Sequence, residues 1–79
     1  EVVVSAAKPA SHGEGWIVRL YTLTEPGEDV FVRVPGRQLR AAWLCDARER
    51  DLEALRVADG AAYLTMPGTI ASVRLLLEP

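Results

Sequence analysis

Turn-forming residues interrupt this chain roughly every ten residues, which limits it to short strands. The pairs Pro26-Gly27, Pro35-Gly36 and Pro67-Gly68 mark three of the breaks, and Asp59-Gly60 marks another. Proline presets φ at the second turn position and glycine accepts the positive φ that a type II turn needs at the third. Asp-Gly between strand-like runs is a strong hairpin signal. The longest stretch of strand formers between breaks is residues 15–24, Gly-Trp-Ile-Val-Arg-Leu-Tyr-Thr-Leu-Thr. Alternation puts Trp16, Val18 and Leu20 on one face and Ile17, Arg19 and Tyr21 on the other. Both faces are largely apolar, so the pattern predicts a central strand covered on both sides.

The remaining segments follow the same logic. Val2-Val3-Val4-Ser5 reads as a first strand that must end by Pro9, followed by the polar loop Ser11-His12-Gly13-Glu14-Gly15. After the Glu25-Pro26-Gly27-Glu28-Asp29 turn, Val30, Val32 and Val34 alternate with Phe31 and Arg33. Antiparallel pairing of that strand with residues 16–23 is the expected hairpin. Residues 39–45 form a fourth strand, with Leu39, Ala41 and Trp43 on one face and Arg40, Ala42 and Leu44 on the other. Residues 47–55 are helix formers with Asp46 as a ready N-cap, but only Leu52 and Leu55 anchor them, so a loop with at most one helical turn is expected. Residues 55–58 and 61–66 flank Asp59-Gly60, and 70–77 close the set. About seven short strands predict an all-β fold, a small antiparallel β-sandwich with an immunoglobulin-like look, as one domain over residues 1–79.

Composition excludes several functions. The 79 residues, 49% of them hydrophobic, suffice for one small domain. The first residue is Glu1 rather than Met, so the chain reads as cut from something longer, or as processed. Nine Lys+Arg against eleven Asp+Glu give a net charge of −2, with the basic residues scattered singly, which predicts no nucleic-acid partner. No apolar run approaches the ~20 residues that span a bilayer, and no membrane partner is expected. Cys45 is the sole cysteine, which precludes an internal disulfide and points to a reducing, cytoplasmic compartment.

A search for chemistry yields little. One Cys and one His cannot supply the three or four ligands of a zinc site. Glu25, Glu28 and Asp29 crowd one turn and Asp46, Glu49, Asp51 and Glu53 another, where acids keep loops solvated. His12 stands alone without a Gly-x-Ser-x-Gly elbow, and the glycines beside it do not lead from a strand into a helix. Asp46 would raise the pKa of Cys45, which reads as a packing residue. No catalytic, cofactor-binding or metal residue is assigned. Trp16 and Trp43 read first as core anchors, with a carbohydrate-stacking platform as the alternative. The face bearing Ile17, Arg19 and Tyr21 offers a docking surface for another domain.

Three segments in order resemble the C-terminal β-sandwich domain of the α-mannosidases of glycoside hydrolase family 38. Ser5-Ala6-Ala7-Lys8-Pro9 is similar to the segment that opens that domain, and Gly15-Trp16-Ile17-Val18-Arg19-Leu20-Tyr21 to its Arg-Leu-Tyr strand. Leu44-Cys45-Asp46-Ala47-Arg48-Glu49-Arg50 is similar to its acidic turn, and residues 67–77 to its closing pattern. Thr22 stands where the family often has Asn, and Ala47-Arg48 where it has Leu before the acid. The resemblance implies a non-catalytic accessory domain that packs against and braces the other domains of the same polypeptide. It places the hydrolysis of α-mannosidic bonds, the zinc and the catalytic acids in an N-terminal domain, so no family catalytic residue carries over. A free-standing carbohydrate-binding or protein-interaction module is the alternative. Both Arg19 and Glu49 fall in resembling segments, and a half-buried Arg19 is expected to pair with the Glu49 carboxylate.

Overall fold

The computed structural model describes residues 2–11, 13–22, 27 and 29–79, with residues 2–6 described by their backbone alone. Eight strands and no helix form among them: β1 (Val2–Pro9), β2 (Trp16–Thr22), β3 (Asp29–Val32), β4 (Leu39–Cys45), β5 (Asp51–Ala54), β6 (Arg56–Ala58), β7 (Ala61–Thr65) and β8 (Ile70–Leu77). They make an antiparallel β-sandwich of a five-stranded sheet, ordered β1-β2-β8-β4-β5, and a three-stranded sheet, ordered β3-β7-β6. As expected, β2 is interior, flanked by β1 and β8.

The core lies between the sheets. Val18 and Leu20 of β2, Ala42 of β4, and Ala71, Val73 and Leu75 of β8 meet Val32 of β3 and Ala62 and Leu64 of β7, with Leu39 and Met66 completing the cluster. Within β2, β3, β7 and β8 the contributing residues alternate, as a period of two requires. The two faces of β2 differ, however. On its core face Val18, Leu20 and Thr22 are buried and Trp16 is 45% exposed, whereas on the outer face Ile17 is buried, Tyr21 half-buried and Arg19 exposed.

Strand β3 does not form a hairpin with β2 but pairs with β7, Val30 opposite Leu64 and Val32 opposite Ala62. Both edges of β2 are already taken, so the chain crosses to the opposite layer. There the valines of β3 cover the core and Phe31 points outward, 61% exposed. Of the turn between them only Gly27 and Asp29 are described; the expected roles of Glu25, Pro26 and Glu28 lie outside the described residues.

Two irregularities shift faces. A register break between Leu39 and Ala41 lets Leu39 join Ala42 and Leu44 on the core side, while Ala41, Trp43 and Cys45 face outward. Such a bulge inserts one residue and inverts the alternation beyond it. Residues 51–54, expected in a loop, form the edge strand β5 against β4. The Asp59-Gly60 hairpin forms as expected between β6 and β7, with φ of 53° and 76° at its two central residues, the signature of a type I′ turn.

Gly15 sits where the β1–β2 loop rejoins the sheet. Its φ is 103° and its carbonyl accepts the Ala10 amide at 3.0 Å. A Cβ there would run into the Leu75 carbonyl and the Leu76 side chain. Gly13 has φ of 82° but open space around it. Gly15→Ala is therefore expected to cost about 2 kcal/mol or more, and Gly13→Ala only about 1 kcal/mol. Urea unfolding of the two variants measures the difference; equal losses would show that the contact at Leu75 imposes no constraint.

Candidate functional site

Among the described residues, the outer face of the five-stranded sheet carries a dense set of polar contacts. Register aligns Lys8, Ile17, Arg74 and Trp43 across β1, β2, β8 and β4, with Arg19, Ser72 and Cys45 in the neighbouring outward row. Over these rows lies the β4–β5 turn. Asp46 shapes it: Oδ1 accepts the amides of Arg48 and Arg50 at 2.8 and 2.9 Å, and Oδ2 accepts Arg50 Nε at 2.8 Å. These bonds hold the Asp46 carboxyl below its ordinary pKa, the Arg50 amide contributing most. Asp46 thus caps a hairpin turn instead of a helix.

Glu49 follows at φ 65°, a left-handed conformation uncommon outside glycine. Its side chain reaches the β1–β2 region: Oε1 accepts the Ser11 amide at 2.8 Å, while Oε2 accepts Ser11 Oγ at 3.0 Å and pairs with Lys8 Nζ at 2.7 Å. Strands β2 and β8 separate β4 from β1, so the turn leans across both. Lys8 and Ser11 take the place expected for Arg19, and pull the Glu49 pKa down to about 2, Lys8 making the largest contribution.

Arg74 ties down the other side. It bonds Asp51 through Nε and one terminal nitrogen at 3.0 and 2.6 Å, and donates from the other to the Glu14 carbonyl at 3.0 Å. Its guanidinium also lies 4.2 Å from the centre of the Trp43 ring, within cation–π range. The Asp51 carboxyl is lowered, chiefly by Arg74. Beneath these groups lies Cys45, 6% exposed, whose thiol donates to Asp51 Oδ1 at 3.4 Å. Burial first, then Asp51, raise its pKa to about 11. The neighbour that holds the thiol neutral is thus Asp51 across the hairpin, and Cys45 packs as expected.

This arrangement closes part of the sheet face, with its charged groups paired to one another or to backbone. Among the described residues, no three His, Cys, Asp or Glu side chains cluster to hold a metal. His12, Glu25 and Glu28 lie outside the described residues. Asp29, in the three-stranded sheet, accepts Thr65 Oγ1 at 2.7 Å and shares an open hollow of about 720 Å³ with Leu44 of β4, Glu53 of β5 and Arg56 of β6.

Neither tryptophan is a core anchor. Trp16 is 45% exposed and borders an apolar slot of about 320 Å³ with Ala7, Val18, Val34, Leu75 and Leu77. Trp43 is half-buried under Arg74, which covers one face of its ring. The outer face of the small sheet holds an aromatic row that the sequence reading missed: Phe31 stands 6.1 Å from Tyr63, and Arg56 lies 4.3 Å from the Tyr63 ring centre. Only the pairing of β3 with β7, a long-range event, brings these side chains together.

The sequence matches the family described as glycosyl hydrolases family 38 C-terminal beta sandwich domain, over residues 1–79. No curated protein and no solved structure gave a significant match.

Two outcomes test the sealed face. The Glu49 pKa is lowered on folding, from 4.5 to about 2. Its contribution is therefore complete above pH 4.5 and disappears as pH falls towards about 2. Glu49→Gln should lower stability near neutrality, and the gap to the unaltered protein should narrow steadily across that acid window. A pH-independent gap would contradict the assignment. Cys45 should react with a disulfide reagent at pH 8 at least tenfold more slowly than in denaturant; equal rates would mean that the thiol is not covered.

Proposed function

The chain belongs to the family of C-terminal β-sandwich domains of glycosyl hydrolases family 38, and on that footing we propose that it is a non-catalytic accessory domain of an α-mannosidase-like enzyme. Its work in this reading is mechanical: it packs against the other domains of the same polypeptide and braces them. The hydrolysis of α-mannosidic bonds, and the zinc that supports it, belong to a catalytic domain elsewhere in the parent chain.

The observation that carries the reading is the family match over the full 79 residues. The surface supports it. A plain adhesion module would present polar outer faces, whereas Leu52 and Ile70 stand 62% and 61% exposed on or beside the large sheet, and Trp16 borders an apolar slot. Apolar side chains grouped in this way are typical of surfaces that meet another domain. The carbohydrate-module alternative has less to stand on, because one face of Trp43 is covered and the slot beside Trp16 is lined by aliphatic groups and Arg37.

The test compares the parent chain, with the polypeptide encoded upstream of Glu1 in place, against the same chain lacking residues 1–79. The parent should hydrolyse an aryl α-mannoside, and the truncated form should unfold at least several degrees lower and lose activity with it. An inactive parent would reject the α-mannosidase assignment. Unchanged unfolding temperature and activity after truncation would reject the bracing role.

A further inference from the structure

The polar network described above covers only part of the outer face of the five-stranded sheet. Towards the end where β1 begins, the face turns apolar. Tyr21 stands opposite Ile70, and Arg19 and Ser72 occupy the next outward row. Two hollows adjoin there, sharing Arg19 and Ile70. One, of about 410 Å³, is lined by Leu44, Cys45, Ala47, Leu52, Pro67 and Ala71 among others; the smaller, of about 250 Å³, by Tyr21, Thr22 and Thr69. Ile70 and Leu52 rise from this surface with more than half of their area in water.

The path of the chain says what should lie on it. Strand β1 begins at Val2, opposite Thr22, with Val3 opposite Tyr21, and runs away from that end to Pro9 opposite Trp16. Polypeptide that precedes Val2 is therefore delivered to the end of the sheet where Tyr21 and Ile70 stand. The Trp16 slot lies at the other end, beside Leu77 and Arg37, and the Phe31–Tyr63 row belongs to the other sheet.

We propose that the apolar end of the outer sheet face, formed by Tyr21, Leu52, Pro67 and Ile70, is the seat of the domain that immediately precedes this one in the same polypeptide. The proposal rests on the accessory-domain reading and makes it specific, by assigning one face and one occupant. The preceding domain should present an apolar patch there, because the centre of such an interface excludes water while its polar rim remains wet.

Hydroxyl-radical footprinting of the full parent chain tests it with an internal standard. Leu52, Ile70 and Phe31 have nearly equal exposure here, 62%, 61% and 61%. After correction for intrinsic side-chain reactivity, Leu52 and Ile70 should oxidise at least fivefold more slowly than Phe31, and the ratio should not change on dilution. Protection of Phe31 or Trp16 with Leu52 and Ile70 fully reactive would overturn this face while preserving interdomain packing. Full reactivity at all four would overturn both the face and the accessory-domain reading. Protection of Leu52 and Ile70 that disappears on dilution would assign the face to a second copy and overturn the proposed occupant.

Discussion

The Arg74 guanidinium is the point on which the outer face of the large sheet depends. It stands on β8, bonds Asp51 of β5 and the Glu14 carbonyl of the β1–β2 loop, and lies over Trp43 of β4. An exposed ion pair contributes little, about 0.2–1 kcal/mol. Arg74 differs because its side chain is only 16% exposed, against 36% for Asp51, and the pair is two-pronged, with every donor atom directed at a fixed acceptor. A sandwich with five strands on one side and three on the other has no third layer for its larger outer face. Here the β4–β5 turn and its ion pairs take that place, which accounts for the burial of Ile17 and Cys45 on a face turned away from the core.

The same arrangement separates what was legible in the sequence from what was not. Local signals were read correctly: β4 and β8 coincide with the apolar runs 39–45 and 70–77, and Asp59-Gly60 makes its hairpin. Strand β5 was missed because Asp51, Leu52, Glu53 and Ala54 have little strand preference, and they are held extended by pairing with β4 and by Arg74. The bulge after Leu39 leaves no compositional mark, so the faces of β4 were misassigned at its first residue. The partner of β3 depends on the arrival of β8 at the free edge of β2, an event some fifty residues later in the chain that no local pattern encodes. The Lys8–Glu49 pair was missed for a similar reason: it needs four strands in place before its members meet.

Taken together, the outer face has two unlike halves. One is closed by the domain's own charges around Ile17; the other, around Tyr21 and Ile70, is left apolar, with Cys45 at the border between them. A free-standing domain gains nothing from leaving that half uncovered, since apolar area in water costs about 25 cal/mol per Å² relative to burial. A domain that forms one end of a larger glycosyl hydrolase has a use for it, and membership of the family 38 C-terminal β-sandwich domains gives that context.

The claim at the centre of this account is that Arg74 and Asp51 act as one unit that fastens β5 and closes the sheet face. A double-mutant cycle with Arg74→Gln and Asp51→Asn, read by urea unfolding, tests it most directly. The account predicts a coupling energy of about 1–3 kcal/mol, the range for contacting residues, together with faster amide exchange in residues 51–54 in either single variant. A coupling below about 0.5 kcal/mol, with exchange in β5 unchanged, would show that the strand is held by its backbone pairing to β4 alone and would contradict it.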